Sequence, residues 1–87
     1  MKQVLIYSTR ICPFCVMARR LLERKGVCFD EVKVDEDPVR RQEMMQKTGR
    51  RTVPQVFIGE KYVGGYEDLA ALEHAGQLDP LLRDATG

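Results

Sequence analysis

Residues 4–26 read VLIYSTRICPFCVMARRLLERKG, and this stretch decides the fold. Gln3–Tyr7 is short, apolar and β-prone, the pattern of a buried strand. Ser8–Ile11 breaks that pattern. From Pro13 onward Phe14, Ala18, Leu21 and Leu22 recur at helical spacing, while Arg19, Arg20, Glu23 and Arg24 fall mostly on the other side. Pro13 suits a first helical turn, where its missing N–H is no loss, and Gly26 suits the position just past the end. Strand, loop and helix thus follow one another, and the loop delivers Cys12 and Cys15 to the start of the helix.

Working outward, Val27–Val34 is a second β candidate whose periodicity slips near Asp30-Glu31. Asp37-Pro38 opens a second helix, Asp as N-cap and Pro as first helical residue. It runs to about Thr48 and is stopped by Gly49. Gln55–Ile58 and Lys61–Val63 flank Gly59-Glu60, a two-residue hairpin connection. Gly64-Gly65 ends the hairpin, Glu67–Ala75 forms a third helix, and Leu78–Arg83 a short last helical piece. The order βαβα followed by ββα predicts an α/β fold. Its four-stranded mixed sheet has the first two strands parallel through a helical crossover, the last two antiparallel, and helices on both faces. With 87 residues the chain makes one domain, 1–87. So small a core limits stability to roughly 3–5 kcal/mol.

Fourteen Lys and Arg stand against 13 Asp and Glu, a net charge of +1. That balance argues against a dedicated nucleic-acid binder. The apolar run Val4–Tyr7 is too short for a signal peptide or a membrane span, so a cytoplasmic, reducing setting is expected. Cysteines there are more often catalytic or metal-bound than structural. Of the three, Cys28 reads as a small core hydrophobe on a strand.

Cys12 and Cys15 read differently. A thiolate is the nucleophile in disulfide exchange, and a helix N-terminus, with its unpaired N–H groups and dipole, favours that anion. Cys15, one turn along and deeper, can attack a mixed disulfide formed on Cys12 and release the product. Arg10 adds cationic support if its side chain turns inward. Zinc is the competing reading, but structural zinc takes four ligands and only Cys28 and His74 remain as soft donors. No metal site is expected.

Four motifs in register extend this reading: Cys12-Pro13-Phe14-Cys15, Thr52-Val53-Pro54, Gly64-Gly65 and Glu67-Asp68-Leu69. Together they resemble the glutaredoxin family, in particular its compact bacterial dithiol members, over nearly the whole chain. The resemblance implies a thioredoxin-like fold and a glutathione-dependent thiol–disulfide oxidoreductase, with glutathione as reductant and co-substrate and no tightly bound cofactor. It implies that Val53 offers its backbone N–H and C=O to the cysteinyl part of glutathione, like an added strand, next to Thr52. Pro54 is then a cis-proline facing the active site, and Arg51 pairs with the glycine carboxylate. Phe14 supplies a ring contact, and Arg10 is counted with the glutathione-binding residues. Gly65 turns the chain so that the N–H groups of Tyr66 and Glu67 face the γ-glutamyl carboxylate, and Asp68 meets the γ-glutamyl ammonium.

The chain departs from the family pattern at Thr9, where Lys is common, at Phe14, where Tyr is usual, and at the bulky Tyr66. Arg50 reads as a solvated neighbour of Arg51. The implied partners are disulfide-bearing or glutathionylated proteins, ribonucleotide reductase among the candidates, engaged by a monomer without nucleic acid or membrane. Two rival readings stay open: reduction by thioredoxin reductase, suggested by Thr9, and a glutathione-ligated iron–sulfur carrier, which Pro13 and Cys15 count against.

Overall fold

Alternation along the first strand sets the architecture. In the computed structural model, which describes residues 3–83, Val4 and Ile6 of β1 (Val4–Ser8) enter one core, while Leu5 and Tyr7 enter another on the opposite face. The chain continues through α1 (Pro13–Arg24), β2 (Phe29–Lys33), α2 (Pro38–Thr48), β3 (Gln55–Ile58), β4 (Lys61–Gly64), α3 (Tyr66–His74) and α4 (Leu78–Arg83). The sheet order is β2-β1-β3-β4. β1 pairs in parallel with β2, Val4 opposite Phe29, and antiparallel with β3, Val4 opposite Ile58. β3 and β4 form the antiparallel hairpin, with an irregularity between Val56 and Phe57. The four-stranded mixed sheet and its thioredoxin-like fold match the expectation.

Helices cover both faces. Ala18, Leu21 and Leu22 of α1, Leu69 of α3, and Leu78 and Leu82 of α4 pack on Val4, Ile6, Val56 and Ile58. Each such side chain contributes about 1.5–3 kcal/mol when fully removed from water. On the other face Met44 of α2 meets Tyr7 and Val34, with Leu5, Val32 and Phe57 partly covered beside them. Asp37 caps α2, its Oδ1 accepting from Val39 and Arg40 N–H at 3.1 and 3.3 Å. Gly49 ends it at φ 71°, a left-handed turn that glycine adopts without a steric penalty.

Some element boundaries move. β1 extends to Ser8 and α3 starts at Tyr66, while β2 is shorter than Val27–Val34. Two side chains correct the sequence reading. Phe14, placed above on the apolar face of α1, is 54% exposed, and Cys15 takes the core position instead. Cys15, three residues before Ala18 and seven before Leu22, falls on the same buried helical face. Cys28 is exposed and precedes β2. Its neighbours Val27 and Phe29 face the first core, which leaves Cys28 turned to the opposite side.

Candidate active site

The site grows from the N-terminus of α1. Cys12 is the N-cap, in extended conformation, and its carbonyl accepts the first helical bond from Val16 N–H at 3.1 Å. Its sulfur accepts from Cys15 N–H at 3.1 Å. An amide hydrogen and the positive end of the helix dipole thus converge on one sulfur. Cys12 and Cys15 are joined as a disulfide with Cα atoms 5.2 Å apart, within the span such a bond allows. Cys15 is fully buried beneath Cys12, which is partly exposed. An incoming disulfide meets Cys12 first.

The other wall is the loop before β3. The Val53 carbonyl oxygen lies 3.9 Å from Cys12 Sγ, and the Val53–Pro54 peptide bond is cis, as the resemblance implies. Buried Gln55 braces this loop: its Nε2 donates to the Thr52 carbonyl at 2.9 Å, and its Oε1 accepts from Tyr62 OH at 2.5 Å. From Phe14 and Val53 an open groove of about 180 Å³ runs along Thr52, Pro54, Gln55 and Gly65 to Tyr66, Glu67 and Asp68. The Phe14 and Tyr66 rings flank it with centroids 6.2 Å apart.

At the far end of the groove α3 begins. Its first internal bond runs from Leu69 N–H to Gly65 C=O, so the amides of Tyr66, Glu67 and Asp68 have no acceptor within the helix. Asp68 Oδ2 accepts from Gly65 N–H at 3.0 Å. The glycine that the turn requires is Gly64, at φ +119°, and not Gly65, at φ −87°. Gly65 serves by closeness instead: a Cβ there would lie 3.4 Å from the Pro54 carbonyl oxygen, in van der Waals contact with the cis-proline loop.

Two cations depart from expectation. Arg10 turns away from the dithiol: its N–H and Nε meet Asp35 Oδ2 at 3.3 and 3.4 Å, and its side chain is 69% exposed. The Asp35 carboxylate after β2 holds it there. Arg50, read as a mere neighbour, lines the groove and lies 3.8 Å from Asp68 Oδ2, whereas Arg51 is not among the lining residues. Which of two adjacent arginines faces inward depends on the exit angle after Gly49, which carries no sequence signal. Gln55 was also missed, although a polar residue opening an apolar strand hints at a bracing role.

Beneath the loop, Glu31 Oε2 accepts from buried Ser8 Oγ at 2.6 Å and from Arg19 Nη1 at 2.5 Å. Burial pushes the Glu31 carboxyl up, but these two donors outweigh it and hold the group below its ordinary range. This cluster ties α1 to β1 and β2, and so steadies the helix that carries both cysteines. Among the described residues no group of three or more His, Cys, Asp or Glu could hold a metal ion, and no helix is long and apolar enough to cross a membrane.

Comparison with known proteins places this geometry. A family model described as Glutaredoxin matches residues 4–63. A glutaredoxin of Pseudomonas aeruginosa is 54% identical over 82 residues, covering 94% of this chain and 98% of the relative. Glutaredoxin 3 of Escherichia coli is 47% identical over 83 residues, covering 95% and 100%. Among solved structures, a buckwheat glutaredoxin–glutathione complex superimposes with a TM-score of 0.88 at 28% identity, covering 95% of this chain and 78% of that one.

Proposed function

The chain belongs to the glutaredoxin family, and on that premise we propose that it is a glutathione-dependent reductase of protein disulfides and protein–glutathione mixed disulfides. The observation that carries this reading is the placement of Cys12 Sγ, accepting from Cys15 N–H at the head of α1 with Cys15 buried behind it. Helix termini of this kind favour the thiolate.

In the proposed cycle the Cys12 thiolate attacks the glutathionyl sulfur of a mixed disulfide. A new S–S bond forms, and the protein thiolate leaves and takes a proton. A glutathione thiolate then attacks the glutathionyl sulfur on Cys12, releasing oxidised glutathione and restoring the Cys12 thiolate. With a protein disulfide, Cys12 forms the mixed disulfide and Cys15, once deprotonated, attacks the Cys12 sulfur. The reduced protein leaves, and two glutathiones reduce the Cys12–Cys15 disulfide.

Glutathione would lie along the groove, its cysteinyl backbone on Val53 beside Thr52 and Pro54 and its side against Phe14. Its γ-glutamyl end would meet the Tyr66 and Glu67 amides next to Gly65, with Asp68 taking the ammonium. Arg51 remains assigned to the glycine carboxylate, with Arg50 beside it on the groove wall; Arg10 has no direct role. The relative solved with glutathione supports this ligand. The reading further assigns a cytoplasmic monomer, no tightly bound cofactor, and action of 1–87 as one domain, of which residues 1–2 and 84–87 lie outside the described part.

The test uses two variants in an assay coupled to glutathione reductase. Cys12→Ser abolishes turnover of every substrate. Cys15→Ser retains turnover of glutathionylated cysteamine and loses reduction of a protein disulfide. Equal activity of both variants on both substrates would overturn the proposal.

A further inference from the structure

Charge is unevenly distributed along this chain, and the uneven part adjoins the reacting sulfur. Residues 38–51 carry Arg40, Arg41, Lys47, Arg50 and Arg51 against Glu43 alone, in a chain whose overall formal charge is +1. Glu43 is already engaged: it accepts from Tyr7 OH at 2.5 Å, and Arg40 and Lys47 lie 3.6 and 3.8 Å from it. Arg50 shares Asp68 with the Gly65 amide. Among the described residues no carboxylate pairs with Arg41 or Arg51, and both are exposed.

Arg41 is not an arbitrary surface cation. Its Nη2 donates to the Arg51 carbonyl at 3.5 Å, which lays its guanidinium over the loop that leads to Val53. The Val53 carbonyl in turn stands 3.9 Å from Cys12 Sγ. Two residues of extended chain span about 7 Å at most, so the Arg41 guanidinium lies within roughly 14 Å of the sulfur. An extended substrate covers even that upper limit in about four residues. On the other side of Cys12 the chain offers apolar surface, with Ile11 93% and Met17 42% exposed.

We propose that Arg41, with the cationic turn at residues 50–51, is a docking surface for protein disulfides that carry acidic residues within about four positions of the attacked cysteine. The inference rests on the reductase reading above and names its protein substrate class. Acidic chains approach such a surface faster and neutral or basic ones do not, because like charges repel and opposite charges steer the encounter. An acidic protein segment fits better than a nucleic acid, because the patch abuts a redox sulfur that only a disulfide-bearing partner needs to reach.

The experiment uses the full chain with three substrates: glutathionylated cysteamine and two disulfide-cyclised peptides identical except for paired Glu or paired Lys four residues from one cysteine. The expected result is about a tenfold higher kcat/KM for the Glu peptide at low salt, falling toward unity at high salt as screening shortens the range of the field. Arg41→Glu removes most of that preference and leaves the small mixed disulfide unaffected. Equal rates for the two peptides, or a preference that Arg41→Glu does not move, would overturn the docking surface while leaving the reductase standing. Preference for a nucleic acid, seen as competition by a single-stranded oligonucleotide against the Glu peptide at equimolar concentration, would also overturn it. Failure to turn over glutathionylated cysteamine would remove the reductase reading itself, and this inference with it.

Discussion

Replacing Gly64 by alanine tests whether the end of the groove is built as described. Gly64 sits at φ +119°, where an L side chain is strained, and an added Cβ would fall on Asp68 Oδ2, 2.8 Å from its Cγ and 3.0 Å from its Cβ. Rotating the Asp68 side chain moves the carboxylate away but leaves its Cβ too close. The rotation also breaks the 3.0 Å bond to Gly65 N–H. The left-handed backbone costs about 1–2 kcal/mol for a residue with a side chain, and loss of a helix cap costs about 0.5–2. Together these give about 1.5–4 kcal/mol, a large part of the stability of so small a domain. At the usual sensitivity of domains this size, the melting temperature falls by roughly 6–32 °C.

Calorimetry on Gly64→Ala, Asp68→Ala and the double variant measures this directly. Shortening Asp68 removes the Oδ2 and Cγ contacts and leaves only the 3.0 Å approach of its Cβ, so the double variant is more stable than the sum of the two single losses predicts, by about 1 kcal/mol. The residual loss of Gly64→Ala in the Asp68→Ala background is the backbone share together with that Cβ contact. A Gly64→Ala protein that melts with the parent, or strictly additive losses, would refute the geometry argued for this turn.

Other expectations follow from individual groups. Glu31 is held below its ordinary carboxyl range, so its contribution to stability is complete above that range and is lost as pH falls through the lowered value. Urea midpoints across the acid limb therefore decline less steeply in Glu31→Gln than in the parent. Burial, aided by the hydrogen bond to Glu43, pushes Tyr7 up to about 12. The unfolded chain ionises first, so stability drops between about pH 10 and 12, and Tyr7→Phe flattens that alkaline limb. Met44 is fully buried and is the main apolar tie between α2 and the sheet; Met44→Ala costs about 2–5 kcal/mol in a denaturant titration. In the oxidised protein Cys28 is the free, exposed thiol, and a colorimetric thiol reagent counts one reactive sulfur per native chain, and none after Cys28→Ser.

Most of the fold was legible because its signals are local. Asp37-Pro38 and Gly49 bracket α2 by capping chemistry, and Gly59-Glu60 marks the hairpin whose first strand, Gln55–Ile58, was placed to the residue. The strand order was not legible. That β1 lies between a parallel and an antiparallel neighbour depends on pairing across 48 to 54 residues, and no window of sequence contains it. The dithiol was readable for the same reason as the caps: Cys12-Pro13 is itself a helix start. What escaped was side-chain direction. Arg10 is drawn to Asp35, which lies twenty-five residues away in sequence, Phe14 yields its inward place to Cys15, and the demand for a left-handed residue falls on Gly64 rather than its neighbour. The first was decided by a partner distant along the chain, the other two by which of two adjacent residues the packing selects.

The two faces of the sheet are covered unequally. One is sealed by three helices over Val4, Ile6, Val56 and Ile58, the other by α2 alone, whose single fully buried contribution is Met44. Local opening takes the least stable cooperative unit first. Amides of α2 therefore exchange with deuterium sooner than those of α1, and the molecule breathes on the side that carries Arg41. The helix bearing the two cysteines opens later, so under the docking proposed above substrate capture would draw on a pliant surface and the sulfur chemistry on a rigid one.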